Sequence, residues 1–189
     1  ICAFMAGNPY YIITGAPSTG KTSILNELRS RGYLCHEEIA REIIRENMDA
    51  GIDIFPWNDM HKFSDLVLER MKVLVNTFDP NAIQFLDRSM VDLIGYMKFA
   101  NQEAPAHYKR EALSVGYAKK VFFLPIWHEI YTQDAERKES LEEAEKIGKS
   151  LEETYISLGF ELIHVPHGNV AERVSFILAE CGQPQLSSN

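Results

Sequence analysis

The chain has 189 residues, of which 46% are hydrophobic and 24% are charged, and this ordinary globular composition argues against long disordered stretches. The formal net charge of −8 opposes broad contact with a nucleic-acid backbone or an anionic membrane, and no apolar run approaches the roughly 18 residues that span a bilayer. These properties predict a single cytoplasmic domain over residues 1–189 that binds neither nucleic acid nor membrane.

Short β-prone runs and amphipathic helical segments alternate through the first half of the chain. A strand before Gly15 is followed by a helix that Gly32 closes, because glycine favours the left-handed conformation that ends helices. The predicted helix over 63–78 has apolar residues at intervals of three and four. The predicted elements are strands over 10–14, 33–36 and 82–86 and helices over 21–31, 38–47 and 63–78.

The second half continues this alternation. Its predicted elements are helices over 90–101, 105–117, 141–158 and 169–180 and strands over 120–124 and 160–165. Strands that alternate with helices predict an α/β fold of three layers, in which a parallel five-stranded sheet carries helices on both faces. The polar tail, residues 184–189, is expected to be flexible.

The segment between the first strand and the first helix matches the phosphate-binding motif G-x-x-x-x-G-K-[ST] at every fixed position. In this context, backbone N–H groups and the helix N-terminus attract phosphate oxygens. Lys21 is expected to bridge the β- and γ-phosphates, and the Thr22 hydroxyl to ligate Mg²⁺. The alternative is a glycine-rich turn before a helix with an exposed lysine. The motif predicts ATP and Mg²⁺ binding by Gly15, Ala16, Pro17, Ser18, Thr19, Gly20, Lys21, Thr22 and Ser23.

A second Mg²⁺ anchor is expected at the end of a neighbouring hydrophobic strand. Asp87 occupies that position, and Arg88, directly after it, is placed to reach a phosphate or the acceptor. The alternatives are that Asp87 or Ser89 caps the helix that begins near Met90, and that Arg88 is an exposed arginine at a strand end.

An acidic and basic cluster follows the second predicted strand, at the sheet edge where ligands bind. Glu38 can accept a proton from a substrate hydroxyl or orient that hydroxyl, and Arg41 lies one helical turn further on. An ordinary amphipathic helix with surface pairs from Glu38 to Arg41 and from Glu42 to Arg45 explains the pattern equally well.

Residues 126–138 lie between the fourth strand and a long helix, where small-molecule kinases carry a mobile lid. Arg137 is expected to close over the γ-phosphate and stabilise charge during transfer. The alternative is a helix start with Thr132 or Asp134 as its cap.

Together these motifs resemble the P-loop ATPase family that includes the nicotinamide-riboside kinase domain of NAD-biosynthesis regulators, an AAA-domain-like group of P-loop NTPases, and more distantly the deoxynucleoside kinases. The resemblance implies a kinase-type strand order, in which the Asp87 strand lies beside the strand before the loop. It also implies ATP as donor and an acceptor held near Glu38, Arg41 and Arg88. It spans nearly the whole chain and rests on residues 15–22, 37–42, 87–89, 131–137 and 165–173.

Two functions compete on this basis. In the first, a phosphotransferase moves the γ-phosphate of Mg·ATP to a hydroxyl of a small nucleoside-like or vitamin-like metabolite. Lys21 and Arg137 then stabilise the transferring group, Asp87 holds the metal shell, and Glu38 or Asp87 positions the acceptor. In the second, a nucleotide-dependent ATPase switch or sensor has no acceptor. The sequence leaves the identity of the acceptor and the oligomeric state open.

Overall fold

The computed structural model describes residues 9–127 and 140–182. Elements are numbered in chain order. The strands of the described part are β1 (Tyr10–Gly15), β2 (Leu34–His36), β3 (Gln84–Asp87), β4 (Lys120–Leu124) and β5 (Glu161–His164). Its helices are α1 (Lys21–Ser30), α2 (Ile39–Ala50), α3 (Met60–Val75), α4 (Met90–Phe99), α5 (Ala106–Ser114), α6 (Leu141–Ser157) and α7 (Val170–Glu180).

The strands form one sheet in the order β2-β3-β1-β4-β5, and every neighbouring pair is parallel. This arrangement confirms the predicted five-stranded parallel sheet and the placement of the Asp87 strand beside β1. Ile13 pairs with Asp87 in the register of β1 and β3. The ends of these two strands are therefore level, and whatever follows each strand meets at the same edge of the sheet.

Helices cover both faces of the sheet. Ile12 and Ile13 are consecutive strand residues that point to opposite faces, and both are fully buried. Ile12 belongs to a core that includes residues of α2, α3 and α4, and Ile13 to a second core with residues of α1 and α7. The predicted three-layer arrangement is confirmed. No helix within the described ranges is long and apolar enough to span a membrane.

Several helix ends differ from those predicted. Helix α2 begins at Ile39, because Glu38 has extended backbone angles and occupies the N-cap position. Helix α4 ends at Phe99, two residues earlier than predicted, and α5 spans only Ala106–Ser114. The side chain of Ser89 caps α4 by accepting from the Val91 N–H. Asp87 lies in β3 and does not serve as this cap.

Candidate functional site

The loop between β1 and α1 has a backbone that few residues can adopt. Gly15, Ser18 and Gly20 have φ angles of 136°, 60° and 87°. A Cβ atom on Gly15 would lie 2.3 Å from the backbone oxygen of Leu124 on the adjacent strand β4. Ser18 holds a left-handed conformation that costs an L residue about 1–2 kcal/mol. The surrounding structure therefore holds this loop in a defined, strained shape.

Replacement of Gly15 by alanine tests this close approach. The added methyl group clashes with rigid backbone, so we expect Gly15→Ala to lower the free energy of unfolding by about 3 kcal/mol. Gly32→Ala is the matched control, because Gly32 has a φ of 88° but no atom within 4 Å of its Cβ position. We expect this control to lose only about 1–2 kcal/mol. Urea unfolding measures both, and equal losses would contradict the predicted clash.

The N-terminus of α1 opens onto the loop. Gly20 is its N-cap residue, and no described side chain caps the helix by a hydrogen bond. The first N–H groups of a helix have no intrahelical partner and carry a partial positive charge. Together with the curled backbone of the loop, they form a binding site for an anion such as phosphate.

Lys21 lies buried in the centre of the loop. Its Nζ donates to the backbone oxygens of Ala16 and Gly15, at 2.8 and 3.2 Å, and to Oγ1 of Thr19 at 3.4 Å. Burial, together with the nearby Arg88 guanidinium, lowers the pKa of Lys21 to about 7. An anion bound in the loop would stabilise the charged form of this amine.

Asp87 ends β3 beside the loop, and one of its carboxylate oxygens is buried. Its Oδ1 is buried and makes no hydrogen bond within the described residues. Burial and the negative charge of Glu38 raise the pKa of Asp87 to about 6. Asp87 and the exposed Thr22 line the same cavity of about 200 Å³. A carboxylate and a hydroxyl are oxygen ligands that suit Mg²⁺, so these residues fit the predicted metal site.

Arg88 connects the loop to Glu38. It is buried with a φ of 69°, and its Nε donates to Oε1 of Glu38 at 3.0 Å. Its Nη1 donates to the backbone oxygen of Gly15, also at 3.0 Å. The guanidinium carbon lies 5.1 Å from the centre of the Tyr96 ring. Arg88 is therefore not the exposed strand-end arginine of the alternative interpretation.

Glu38 is mostly buried and ion-paired. Arg41 Nη2 lies 3.4 Å from its Oε2, and the Glu38 side chain is 15% exposed. Burial alone raises the pKa of Glu38, but Arg88, Lys21 and Arg41 outweigh it and lower the pKa below its ordinary value. The structure thus brings Glu38, Arg41 and Arg88 together beside the loop, and Glu38 is ionised there.

Asp92, which the sequence motifs did not single out, orients Arg88. Its Oδ1 accepts from Arg88 Nη1 at 3.2 Å and from Thr14 Oγ1 at 2.5 Å. Its Oδ2 accepts from the Ser89 N–H at 2.8 Å and from the Tyr155 hydroxyl. The available sequence signal was the spacing: Asp92 is four residues after Arg88 and completes a capping box with Ser89.

Arg173 supports the loop from the far end of the chain. It belongs to α7 and is 3% exposed, and its Nη2 donates to the backbone oxygen of Thr19 at 3.2 Å. Its Nε is buried without a hydrogen-bond partner in the described part of the chain. The sequence indicated Arg173 only as the end of the closing segment 165–173.

A cavity of about 110 Å³ lies beside Glu38. A water molecule needs roughly 10–15 Å³ of such space, so this cavity has room for a small organic molecule. Glu38, Asp87 and Arg88 form its polar end, next to the loop. Most of its other lining is apolar and comes from α2, α3 and α4: Ile39, Ala40, Ile44, Met60, Phe63, Val67, Met71 and Leu93.

The predicted lid falls almost entirely outside the described residues, and Arg137 lies there too. Its role over the γ-phosphate stays a prediction. Of the segment 126–138, the structure describes only the first two residues. The Trp127 ring stacks on the imidazole of His167, with ring centroids 5.0 Å apart.

Comparisons with known proteins match this architecture. A family model described as an AAA domain matches residues 10–173. A search of curated proteins finds no match. Many solved structures are similar to this chain, and the three described below have identities that support the fold alone. NadR protein in complex with NR has a TM-score of 0.71 and 15% identity, covering 96% of this chain and 54% of that chain.

The other two are kinases of comparable length. Thymidylate kinase from Ehrlichia chaffeensis has a TM-score of 0.64 and 12% identity, covering 94% of this chain and 100% of that chain. Deoxyadenosine kinase from M. mycoides has a TM-score of 0.61 and 16% identity, covering 92% of this chain and 98% of that chain. The chain thus spans these kinases almost completely, but only about half of NadR.

Proposed function

The chain belongs to the AAA domain family whose model matches residues 10–173, and from this premise we propose that it transfers the γ-phosphate of Mg·ATP to a hydroxyl of a small metabolite. The family match agrees with the resemblance that the sequence motifs indicated. The structural neighbours are named as kinases of small molecules or as a protein that holds NR, which supports phosphotransfer as the reaction class.

One observation carries this proposal: the guanidinium of Arg88 contacts both the loop and the wall of the adjacent cavity. It donates to Gly15 of the loop and to Glu38 of the cavity. A donor phosphate in the loop and an acceptor in the cavity would therefore both lie close to Arg88. A hydrolytic switch has no need for an acceptor cavity at this position, so the cavity favours the kinase over the switch.

The donor side of the reaction depends on the residues that bind the phosphates and Mg²⁺. Lys21 and the N-terminus of α1 hold the phosphates, and Thr22 with Asp87 would ligate Mg²⁺. When bound, Mg²⁺ neutralises charge on the phosphate oxygens.

The acceptor side depends on Glu38 and Arg88. Glu38 accepts the hydrogen bond of the acceptor hydroxyl and can take its proton, while Arg88 and Asp92 hold the Glu38 carboxylate in place. Because such transfers demand little covalent chemistry from the protein, position and charge dominate the rate.

The test is a product screen with Mg²⁺ and ATP against nucleosides, vitamins and sugars. We expect mass spectrometry to detect a phosphorylated product from at least one acceptor, and removal of Mg²⁺ by a chelator to abolish it. The same acceptor should raise the melting temperature of the protein, because a ligand that binds only the folded state stabilises it. ATP hydrolysis without product from any acceptor would instead support the switch.

A further inference from the structure

We propose that Arg173 is a positioning residue of the phosphate-binding loop: it fixes the direction of the peptide group between Thr19 and Gly20, so that the Gly20 N–H faces a bound phosphate. This inference rests on the proposed binding of Mg·ATP by the loop. The buried lysine and arginine side chains of the described residues are Lys21, Arg88 and Arg173. Of these, only Arg173 has no part in the proposed transfer.

A hydrogen bond from outside the loop holds this peptide group. The Arg173 Nη2 donates to the Thr19 backbone oxygen at 3.2 Å, across 154 positions of the chain. A trans peptide is planar, and its carbonyl and its N–H point in opposite directions. Because the Thr19 oxygen faces Arg173, the Gly20 N–H points away from Arg173. That N–H has no backbone acceptor among the described residues, so it is available to an anion in the loop.

The backbone at this peptide group permits either direction. Gly20 has a φ of 87° and a ψ of 18°, and glycine adopts positive and negative φ with similar ease. If the peptide turned over, the Thr19 carbonyl would face the phosphate in place of the Gly20 N–H. A carbonyl oxygen repels the negative charge of a phosphate. The hydrogen bond from Arg173 therefore stabilises the direction that binds an anion.

The surroundings of Arg173 indicate a role beyond stability. Its side chain is 3% exposed, and its Nε is buried without a hydrogen-bond partner in the described part of the chain. A buried charged group with an unpaired donor costs stability, and an apolar side chain of similar volume often replaces such a group without loss. We therefore attribute the value of Arg173 to its hydrogen bond with Thr19, and not to the packing of α7.

Helix α7 holds the backbone of Arg173 in a fixed place relative to the loop. A capping box at Asn169 begins this helix one turn before Arg173. Ile177 of α7 and Ile24 of α1 are both fully buried in the same core. Since α1 begins directly after Gly20, the helix that carries Arg173 packs against the helix that continues the loop.

Arg173→Met tests the proposal, because methionine removes the donors and keeps most of the volume of the side chain. We expect the Kd values for ATP and for inorganic tripolyphosphate, each with Mg²⁺, to rise about 10-fold, as for loss of a hydrogen bond that serves a charged group. Tripolyphosphate has no nucleoside, so a loss with this probe assigns the effect to the loop. Arg173→Lys keeps a cationic donor and should recover most of the affinity. Isothermal calorimetry measures all of these constants.

Ile177→Ala is the matched control on the same helix. Ile177 lies one turn after Arg173 and is fully buried, so its truncation removes packing from α7 without removing a hydrogen bond to the loop. We expect the control to lower the melting temperature and to leave both Kd values unchanged. An equal loss of affinity in the control would show that Arg173 acts only through the stability of α7, and would overturn the inference.

Nuclear magnetic resonance reports on the Gly20 N–H itself, because an amide proton that donates to a phosphate moves downfield. We expect this movement for Gly20 when Mg²⁺ and ADP saturate the unaltered protein, and a much smaller one in saturated Arg173→Met. If Arg173 acted only through its charge, the variant would bind more weakly but would show the full movement at saturation.

The outcomes separate the inference from the proposed function. Unchanged affinities in Arg173→Met, or the full movement of Gly20 in that variant, would overturn the inference and leave the proposed function standing. Absence of the movement in the saturated unaltered protein would do the same, whether or not the variant folds. The expected losses without a phosphorylated product from any acceptor would support the inference and count against the kinase. Failure of the unaltered protein to bind either ATP or tripolyphosphate would overturn both.

Discussion

Lys21→Ala is expected to lose measurable binding of Mg·ATP. The Lys21 amine lies in the centre of the loop, and it is the cation that the motif places against the β- and γ-phosphates. Charge-assisted hydrogen bonds to phosphate are among the strong ones, so we expect the Kd to rise roughly 100-fold or more. Isothermal calorimetry with ATP and Mg²⁺ measures this directly.

The control for Lys21 separates binding from folding. Lys146→Ala removes a lysine from the exposed face of α6, where it pairs with Glu142, and should leave the affinity for ATP unchanged. Burial depresses the pKa of Lys21, so its charge is a cost to the folded protein without ligand. The hydrogen bonds of Lys21 in the loop oppose this cost, so the melting temperature of Lys21→Ala without nucleotide serves to show that the variant is folded. An ATP affinity equal to that of the unaltered protein would contradict the assigned role of the loop.

The loop and the sheet were predictable because their determinants are local. Eight consecutive residues from Gly15 to Thr22 carry the motif, and its glycines supply the backbone angles that the loop adopts. Asp87 was predictable for a related reason: it ends a short hydrophobic strand, and parallel strands end at one edge of the sheet.

The hydrogen bonds and ion pairs of the site were not predictable, because they join residues that are far apart in the chain. Glu38 and Arg88 are separated by 50 positions, and only the adjacent placement of β2 and β3 brings them together. The Glu38 to Arg41 spacing was equally consistent with a surface ion pair. What distinguishes the two interpretations is the burial of Glu38 against Arg88, which a single sequence does not display.

The positions of Asp92 and Ser64 in the site were also not predictable from the sequence. Asp92 looks like an ordinary capping-box residue, yet the same oxygen that accepts from the Ser89 N–H also accepts from the hydroxyl of Tyr155, 63 positions away. Ser64 is one small polar residue within an amphipathic helix. Ser64 lines the cavity beside Glu38, and this position follows from how α3 packs against the rest of the fold.

Glu38→Gln is expected to lower kcat about 100- to 1,000-fold with little change in the KM for ATP. Glutamine has nearly the same volume as glutamate and keeps an oxygen that can accept from Arg88. The hydrogen bond between Arg88 and residue 38 should therefore persist. Glutamine cannot take a proton from the acceptor hydroxyl or supply a full negative charge to orient it. Steady-state kinetics with the acceptor found in the product screen measure the change.

Glu37→Gln is the matched control for Glu38, because the adjacent Glu37 side chain is 60% exposed and pairs with Arg29 on the surface. Exposed pairs of this kind contribute at most about 1 kcal/mol, so neither kcat nor stability should change appreciably. If both variants retained full turnover, Glu38 would be only a structural partner of Arg88, and another group would have to orient the acceptor. A large loss confined to Glu38→Gln would place the acceptor hydroxyl beside Glu38, which lines both the cavity with the apolar wall and the cavity that Thr22 and Asp87 share.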